Sequence, residues 1–273
     1  MTDMTDVNKT SMNNKLVVLL ADGLRADIAR DYMGYLQALN EAGRAQWRTL
    51  RCELPSLSRP LYATLISGQT PLAHGIVSNA QAGQRCGSTV FEELAAAGNS
   101  SAVAAYHWFF ELLSGQRFEP LLHRHAAVVA AGVQAASWYF EDEYPDSHLL
   151  ADAEHLRQST HPDLLWVHPM GPDTAGHQSG GDSAAYSLCA RKLDMMLALL
   201  IPIWHGAGYD VLLTSDHGMH ADRMHGGPLA VERETPLVWL PCAGSSVDVR
   251  LPDSQLGLRS FVVEHLARVS APR

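Results

Sequence analysis

Short continuous apolar runs alternate along this chain with stretches in which apolar positions recur at helical spacing. The run at residues 15–22, KLVVLLAD, ends in Asp22-Gly23. An unbroken apolar run of that length predicts a central parallel strand buried on both faces. Further strands are predicted over 47–53, 101–106, 163–167, 209–214 and 236–240. Helical spacing predicts helices over 31–43, 89–98, 121–139, 148–158, 183–205 (with Pro202 a potential break) and 255–269. A short helix is also predicted from Ser58, with Pro60 in its first turn and Gly68 just past its end. Residues 141–145 read as an acidic loop, and the polar residues 1–14 as a disordered leader. Strands alternating with helices imply an α/β fold with a mainly parallel central sheet and helices on both faces. With no internal repeat or linker, residues 15–273 are expected to form a single domain.

Composition narrows the function classes. The chain has 273 residues, 47% hydrophobic and 18% charged, which suits a globular protein with a substantial core. A formal net charge of −9 argues against a nucleic-acid polymer as partner. Cys52, Cys86, Cys189 and Cys242 form no CxxC pair and read as buried or idle thiols. No apolar stretch reaches the roughly 18 residues of a membrane span, and the first residues lack an apolar signal core. The expected location is therefore the cytoplasm, with no membrane partner.

Fourteen histidines are many for this length, so position must decide their meaning. Asp22, Asp173 and Asp216 each follow a strand-like run. Ligands bind beyond the carboxyl ends of strands in an open parallel sheet, so these three are expected on one rim. Singly, each reads equally well as a cap or loop residue. Their companions change that: His177 stands four residues after Asp173, His217 is adjacent to Asp216, and His225 follows a short loop. His220 is the alternative to His225. Ser58, where a helix starts, sits among unpaired N–H groups that favour a phosphate, although serine there is more often just a cap. Three carboxylates, three histidines and one hydroxyl suffice for two divalent ions with an open position between them.

These residues lie in ADG at 21–23, PSLSRP at 55–60, HGIVSN at 74–79, PDTAGHQSG at 172–180, SDHGM at 215–219 and HGG at 225–227. On those motifs the chain resembles the alkaline phosphatase superfamily, especially its nucleotide pyrophosphatase/phosphodiesterase branch. The resemblance implies an alkaline-phosphatase-like domain without a large cap insertion. It implies one metal on Asp173, His177 and His225, and another on Asp22, Asp216 and His217 with Ser58 as the nucleophile bound to it. Asn79 would bond a non-bridging phosphoryl oxygen. Zinc is the expected ion, and manganese or iron also fits the donors.

The branch usually has threonine at the position of Ser58 and an apolar residue at that of Arg59. A charge at Arg59 would suit a phosphomonoester or a carboxylate-bearing substrate. Superfamily sulfatases carry arginine where this chain has Tyr62, which counts against sulfate esters. The short loop from His217 to His225 resembles that of the phosphoethanolamine transferases of lipid anchors, which are membrane proteins. Trp108, Phe109 and Phe110 lie beyond a strand end, where they serve either the core or a stacking wall for a base or acyl group. Tyr139 and Tyr144 are weaker candidates, and His107, His168 and His220 read as ordinary polar loop residues, with orientation of a ligand as the alternative. The expected function is a two-metal phosphodiesterase acting on a small phosphoester through a phosphoseryl intermediate, with a homodimer as a further expectation. Its rivals are a phosphomonoesterase, a phosphonoacetate-type hydrolase and a catalytically silent metal- or phospho-ligand-binding protein.

Overall fold

Leu16, Val18 and Leu20 face one side of strand β1 (Lys15–Leu20), and Val17 and Leu19 face the other; all are fully buried. That burial on both sides is what an unbroken apolar run requires, and it places β1 in the middle of the sheet. The structure, a computed structural model, describes residues 15–267. The expected leader at 1–14 and the last residues of the helix expected over 255–269 lie outside the described residues.

After β1 the chain forms α1 (Ala26–Tyr32), α2 (Gly34–Glu41), β2 (Gln46–Arg51), α3 (Ser58–Ser67), α4 (Pro71–His74) and α5 (Val90–Ala96). Then come β3 (Ser101–Tyr106), α6 (His107–Ser114), α7 (Pro120–His123), β4 (Ala135–Tyr139), α8 (Asp146–Thr160) and β5 (Leu164–Val167). The chain continues through α9 (Gly171–Ser179), α10 (Ala184–Gly206), β6 (Tyr209–Thr214), α11 (Ala230–Arg233), β7 (Glu234–Leu240) and α12 (Leu258–Ala267). The strand order is β2-β7-β6-β1-β5-β3-β4. Strands β6, β1, β5, β3 and β4 run parallel, whereas β7 is antiparallel to both β6 and β2. One face packs on α3, α5, α6 and α12 and the other on α1, α2, α8 and α10, so helices cover both sides as expected. Among the described residues, no helix is long and apolar enough to cross a membrane.

Four segments differ from the sequence reading. The expected helix over 121–139 is a single turn, a 3-10 turn at Val129–Ala131 and edge strand β4. Its alanine-rich composition favours helix locally, but pairing with β3 and the left-handed Gly132 (φ +85) prevail. A Cβ at Gly132 would lie 2.2 Å from the Phe91 carbonyl oxygen, so the chain must turn there without a side chain. The helix expected over 31–43 is two helices, because Asp194 of α10 accepts the N–H groups of Tyr35 (2.8 Å) and Leu36 (3.1 Å) and starts α2 from outside. Pro202 does not break α10: it stands on the exposed side close to the helix end. Finally, α9 forms over Gly171–Ser179, where no helix is expected, with Pro172 in its first turn.

Candidate metal centre and nucleophile

The three aspartates converge beyond the carboxyl ends of neighbouring strands. Asp22 follows β1, Asp216 follows β6, and Asp173 stands in the first turn of α9 after β5. Gly23 permits the approach. Its φ is +66, a Cβ there would lie 2.8 Å from the Asp173 Cα, and its N–H donates to Asp216 Oδ1 at 3.2 Å.

Helix α9 sets Asp173 and His177 one turn apart on one face. His177 Nε2 lies 3.5 Å from Asp173 Oδ1. His225 Nε2 lies 3.6 Å from the same oxygen and 3.2 Å from His177 Nε2. His217 Nε2 lies 3.4 Å from Asp22 Oδ1, 3.3 Å from Asp216 Oδ2 and 3.0 Å from Ser58 Oγ. The two groups adjoin, since the His217 and His225 rings stack with centroids 3.6 Å apart and donor atoms of Asp173, His217 and His225 also lie within 4.8 Å of one another. His220 instead pairs with Asp222 at 2.8 Å in the loop.

Each of the three imidazoles has its tautomer set by a backbone carbonyl. Nδ1 of His217 meets Gly218 O at 2.8 Å, that of His225 meets Ser56 O at 2.7 Å, and that of His177 meets Arg223 O at 2.9 Å. A carbonyl oxygen only accepts, so each Nδ1 carries the proton and each Nε2 presents a lone pair. Those lone pairs face Asp22 Oδ1, Asp173 Oδ1 and Asp216 Oδ2, which are buried and have no hydrogen-bond partner among the described residues. Lone pairs opposed at 3.2 to 3.6 Å repel unless a cation lies between them. Donors bound at about 2.0–2.1 Å to a tetrahedral ion are about 3.3–3.4 Å apart, so the residues present fit divalent metal.

The electrostatics agree. Burial pushes the Asp22 carboxyl up to about 7, against the bond from Tyr62. Asp173 and Asp216 are held well above the usual carboxylate range by burial and then by neighbouring carboxylates. Burial, with the neighbouring imidazoles adding to it, holds His217 well below its ordinary value; burial pushes His225 down to about 4. By themselves the carboxylates resist ionising together, while the imidazoles stay neutral, the form that ligates metal. A divalent ion reverses the penalty on the carboxylates.

Asp22 is held from behind. Its Oδ2 accepts the Tyr62 hydroxyl and lies 3.0 Å from His168 Nε2, and the Tyr139 hydroxyl lies 3.0 Å from His168 Nδ1. His168 is therefore no ordinary loop residue: it is fully buried, and burial pushes its imidazole down to about 3. It takes the ligand-orienting alternative rather than the loop role preferred for it from sequence. Tyr62 was missed, although its place four residues after Ser58 on one helix was a usable signal.

Ser58 is the first residue of α3, whose N-cap is Leu57, so the serine is not the cap. Its hydroxyl, almost buried, meets His217 Nε2 instead. The Arg59 N–H donates to Asn79 Oδ1 at 3.0 Å, which sets the Asn79 amide beside the start of α3. Arg59 differs from the expected substrate-side charge. It is 1% exposed, its Nη1 lies 2.6 Å from Glu111 Oε2, and its guanidinium lies 4.4 Å over the Trp108 ring. Phe109 likewise forms no wall, being fully buried and stacked on Tyr62 at 4.6 Å, and Phe110 is also buried. Of that aromatic group only Trp108 is partly exposed. A cavity of about 720 Å³ opens elsewhere, between α9, α10, the loop carrying Tyr144 and the start of α8 at Asp146.

A family model described as type I phosphodiesterase / nucleotide pyrophosphatase matches residues 16–226. Human GPI ethanolamine phosphate transferase 2, catalytic subunit, is 22% identical over 246 residues, covering 84% of this chain and 23% of that protein. Mouse ectonucleotide pyrophosphatase/phosphodiesterase family member 1 is 25% identical over 215 residues, covering 72% and 23% respectively. The chain thus spans about a quarter of the length of these curated relatives. Phosphonoacetate hydrolase from Sinorhizobium meliloti 1021, in complex with phosphonoformate, superposes with a TM-score of 0.66 at 14% identity, over 93% of this chain and 96% of that one. At that identity the likeness concerns the fold.

Proposed function

The chain belongs to the type I phosphodiesterase/nucleotide pyrophosphatase family of the alkaline phosphatase superfamily, and from that premise we propose that it is a two-metal hydrolase of phosphate diesters. The observation that carries this reading is the set of buried, unpartnered carboxylate oxygens facing imidazole lone pairs beside Ser58. Asp22, Asp216 and His217 would hold one ion next to Ser58, and Asp173, His177 and His225 the other. Zinc suits these donors best. Such ions supply charge for the phosphoryl oxygens and lower the pKa of a hydroxyl beside them.

The rest falls to the chain's own groups. Ser58 Oγ gives its proton to solvent and attacks phosphorus in line, the P–O ester bond opposite breaks and its oxygen takes a proton from solvent, and water then attacks phosphorus, breaking the Ser58 O–P bond and returning the serine hydroxyl. The Asn79 amide, its oxygen already taken by the Arg59 N–H, donates through its NH2 to a non-bridging oxygen. Tyr62 and His168 fix one oxygen of Asp22 and leave the other for ligation. A diester is preferred to a monoester because the Arg59 charge, the one nearest Ser58 in sequence, is already neutralised by Glu111. The same pairing removes the motive for a carboxylate-bearing phosphonate.

The test compares turnover of bis-p-nitrophenyl phosphate, p-nitrophenyl phosphate and phosphonoacetate by zinc- or manganese-loaded protein. Preference for the diester is expected. Preference for the monoester, or activity on phosphonoacetate alone, would overturn the reading. Two bound ions with no turnover on any phosphoester would instead select a silent binding protein.

A further inference from the structure

Arg59 and Glu111 form a buried ion pair directly behind the nucleophile, with side chains 2% and 5% exposed. A pair removed from water at that depth needs its remaining hydrogen-bonding positions filled, and here two of the bonds that fill them reach the loop that carries Asn79 and Gly83. Arg59 Nε donates to the Asn79 carbonyl at 3.0 Å, while its own backbone N–H donates to the Asn79 side-chain oxygen at 3.0 Å. Residue 79 is thus gripped twice by residue 59. Glu111 Oε2 also accepts the Gly83 N–H at 3.3 Å, and Oε1 accepts the Phe118 N–H at 3.0 Å.

Ile76 and Cys86 anchor the two ends of the gripped segment in the core, and the Cys86 N–H donates to Leu112 O at 3.1 Å; the span between them, which carries Asn79, has few other ties. Residues 75–89 form no helix or strand, and Val77 and Ala80 are exposed. The Gln81 side chain bonds within the segment, to the N–H groups of Val77 and Ser78 and to the Gly75 carbonyl. Those bonds shape the turn but do not dock it. Only a planar guanidinium can meet a carbonyl through Nε and a carboxylate through Nη1 at once while lying over an indole face; an ammonium is a point charge.

We propose that Arg59, braced by Glu111, is a positioning residue that sets the Asn79 amide relative to the Ser58 hydroxyl. The proposal rests on the phosphoester reading above for what Asn79 does, but not for how it is held. It assigns the positive charge beside the nucleophile to orientation of a donor rather than to recognition of substrate.

The test uses Arg59→Lys, Asn79→Ala and their combination in the metal-loaded chain, with Glu111→Gln taking the place of Arg59→Lys if that variant is not recovered folded. Arg59→Lys is expected to lower kcat by about 10- to 100-fold with KM changed less than about threefold. Asn79→Ala should then cost little more in the Arg59→Lys background, because the two act as one unit. Amide exchange across residues 76–83 should speed up by about tenfold or more while exchange in β6 stays unchanged. Losses from Arg59→Lys and Asn79→Ala that multiply, or unchanged exchange across 76–83, would overturn the proposal. Failure of the phosphoester reading looks different: Ser58→Ala keeps full turnover, or the native chain has none, and the exchange measurement still decides the positioning claim.

Discussion

Ser58 Oγ lies 3.0 Å from His217 Nε2, the nitrogen that also faces Asp22 Oδ1 and Asp216 Oδ2, so an ion held by these three groups would lie beside the hydroxyl. At the scale of single residues the account therefore makes Ser58 a nucleophile. Ser58→Ala is expected to lower turnover by about 10⁴-fold or more while leaving metal content unchanged, measured by steady-state kinetics beside elemental analysis. Full rate in that variant would reduce the serine to packing. Tyr62→Phe removes one of the bonds that orient Asp22 and is expected to weaken metal affinity by about 10- to 100-fold, read by competition with a chelating dye. The three clustered aspartates were legible in the sequence because each follows an apolar run. Tyr62 and His168 were legible only in part: helical spacing from Ser58 and the alternative of a ligand-orienting histidine point to them, but what gives them a role is contact with Asp22, 40 and 146 positions away.

At the scale of elements, α9 carries both Asp173 and His177, and the start of α8 together with the acidic loop before it docks α9. Asp146 Oδ1 accepts the Gly171 N–H at 3.0 Å, the Thr174 hydroxyl donates to the Asp142 carbonyl at 2.7 Å, and Gln178 Nε2 donates to Glu143 Oε1 at 2.7 Å. Asp146→Ala is expected to weaken binding of one ion and spare the other, so that calorimetric titration shows two separated affinities. Equal weakening of both would contradict this division of labour. Asp194→Ala removes the external cap of α2 and is expected to lower stability by about 1–2 kcal/mol with kcat unchanged, as seen by denaturant titration and kinetics. Helix α3 was legible because Pro60 and Gly68 mark its limits locally. Strand β4 and the start of α2 were not, because their determinants lie in β3 and α10, where no local pattern reports them.

At the scale of the whole molecule, a parallel sheet brings the ends of distant strands together and with them the charge of three aspartates. Asp22, Asp173 and Asp216 have raised pKa values in the fold, so they favour folding when protonated and penalise it once ionised. His217, His225 and His168 are depressed and work in the opposite sense below their ordinary value near 6.5. Above about pH 6.5 these histidines are neutral in both states, and the carboxylate effect remains alone. The melting temperature of chelator-treated protein is therefore expected to fall from about pH 6.5 upward, and added zinc should remove the fall. The arrangement that causes it was legible from sequence: strand-ending aspartates on one rim, read with the family motifs, led to the same cluster that the fold assembles. The measurement that tests this most directly is anomalous X-ray scattering from crystals grown with zinc. The account requires two peaks, one bounded by Asp22, Asp216 and His217 beside Ser58, the other by Asp173, His177 and His225. A single peak, or zinc bound elsewhere with these side chains splayed apart, would contradict it.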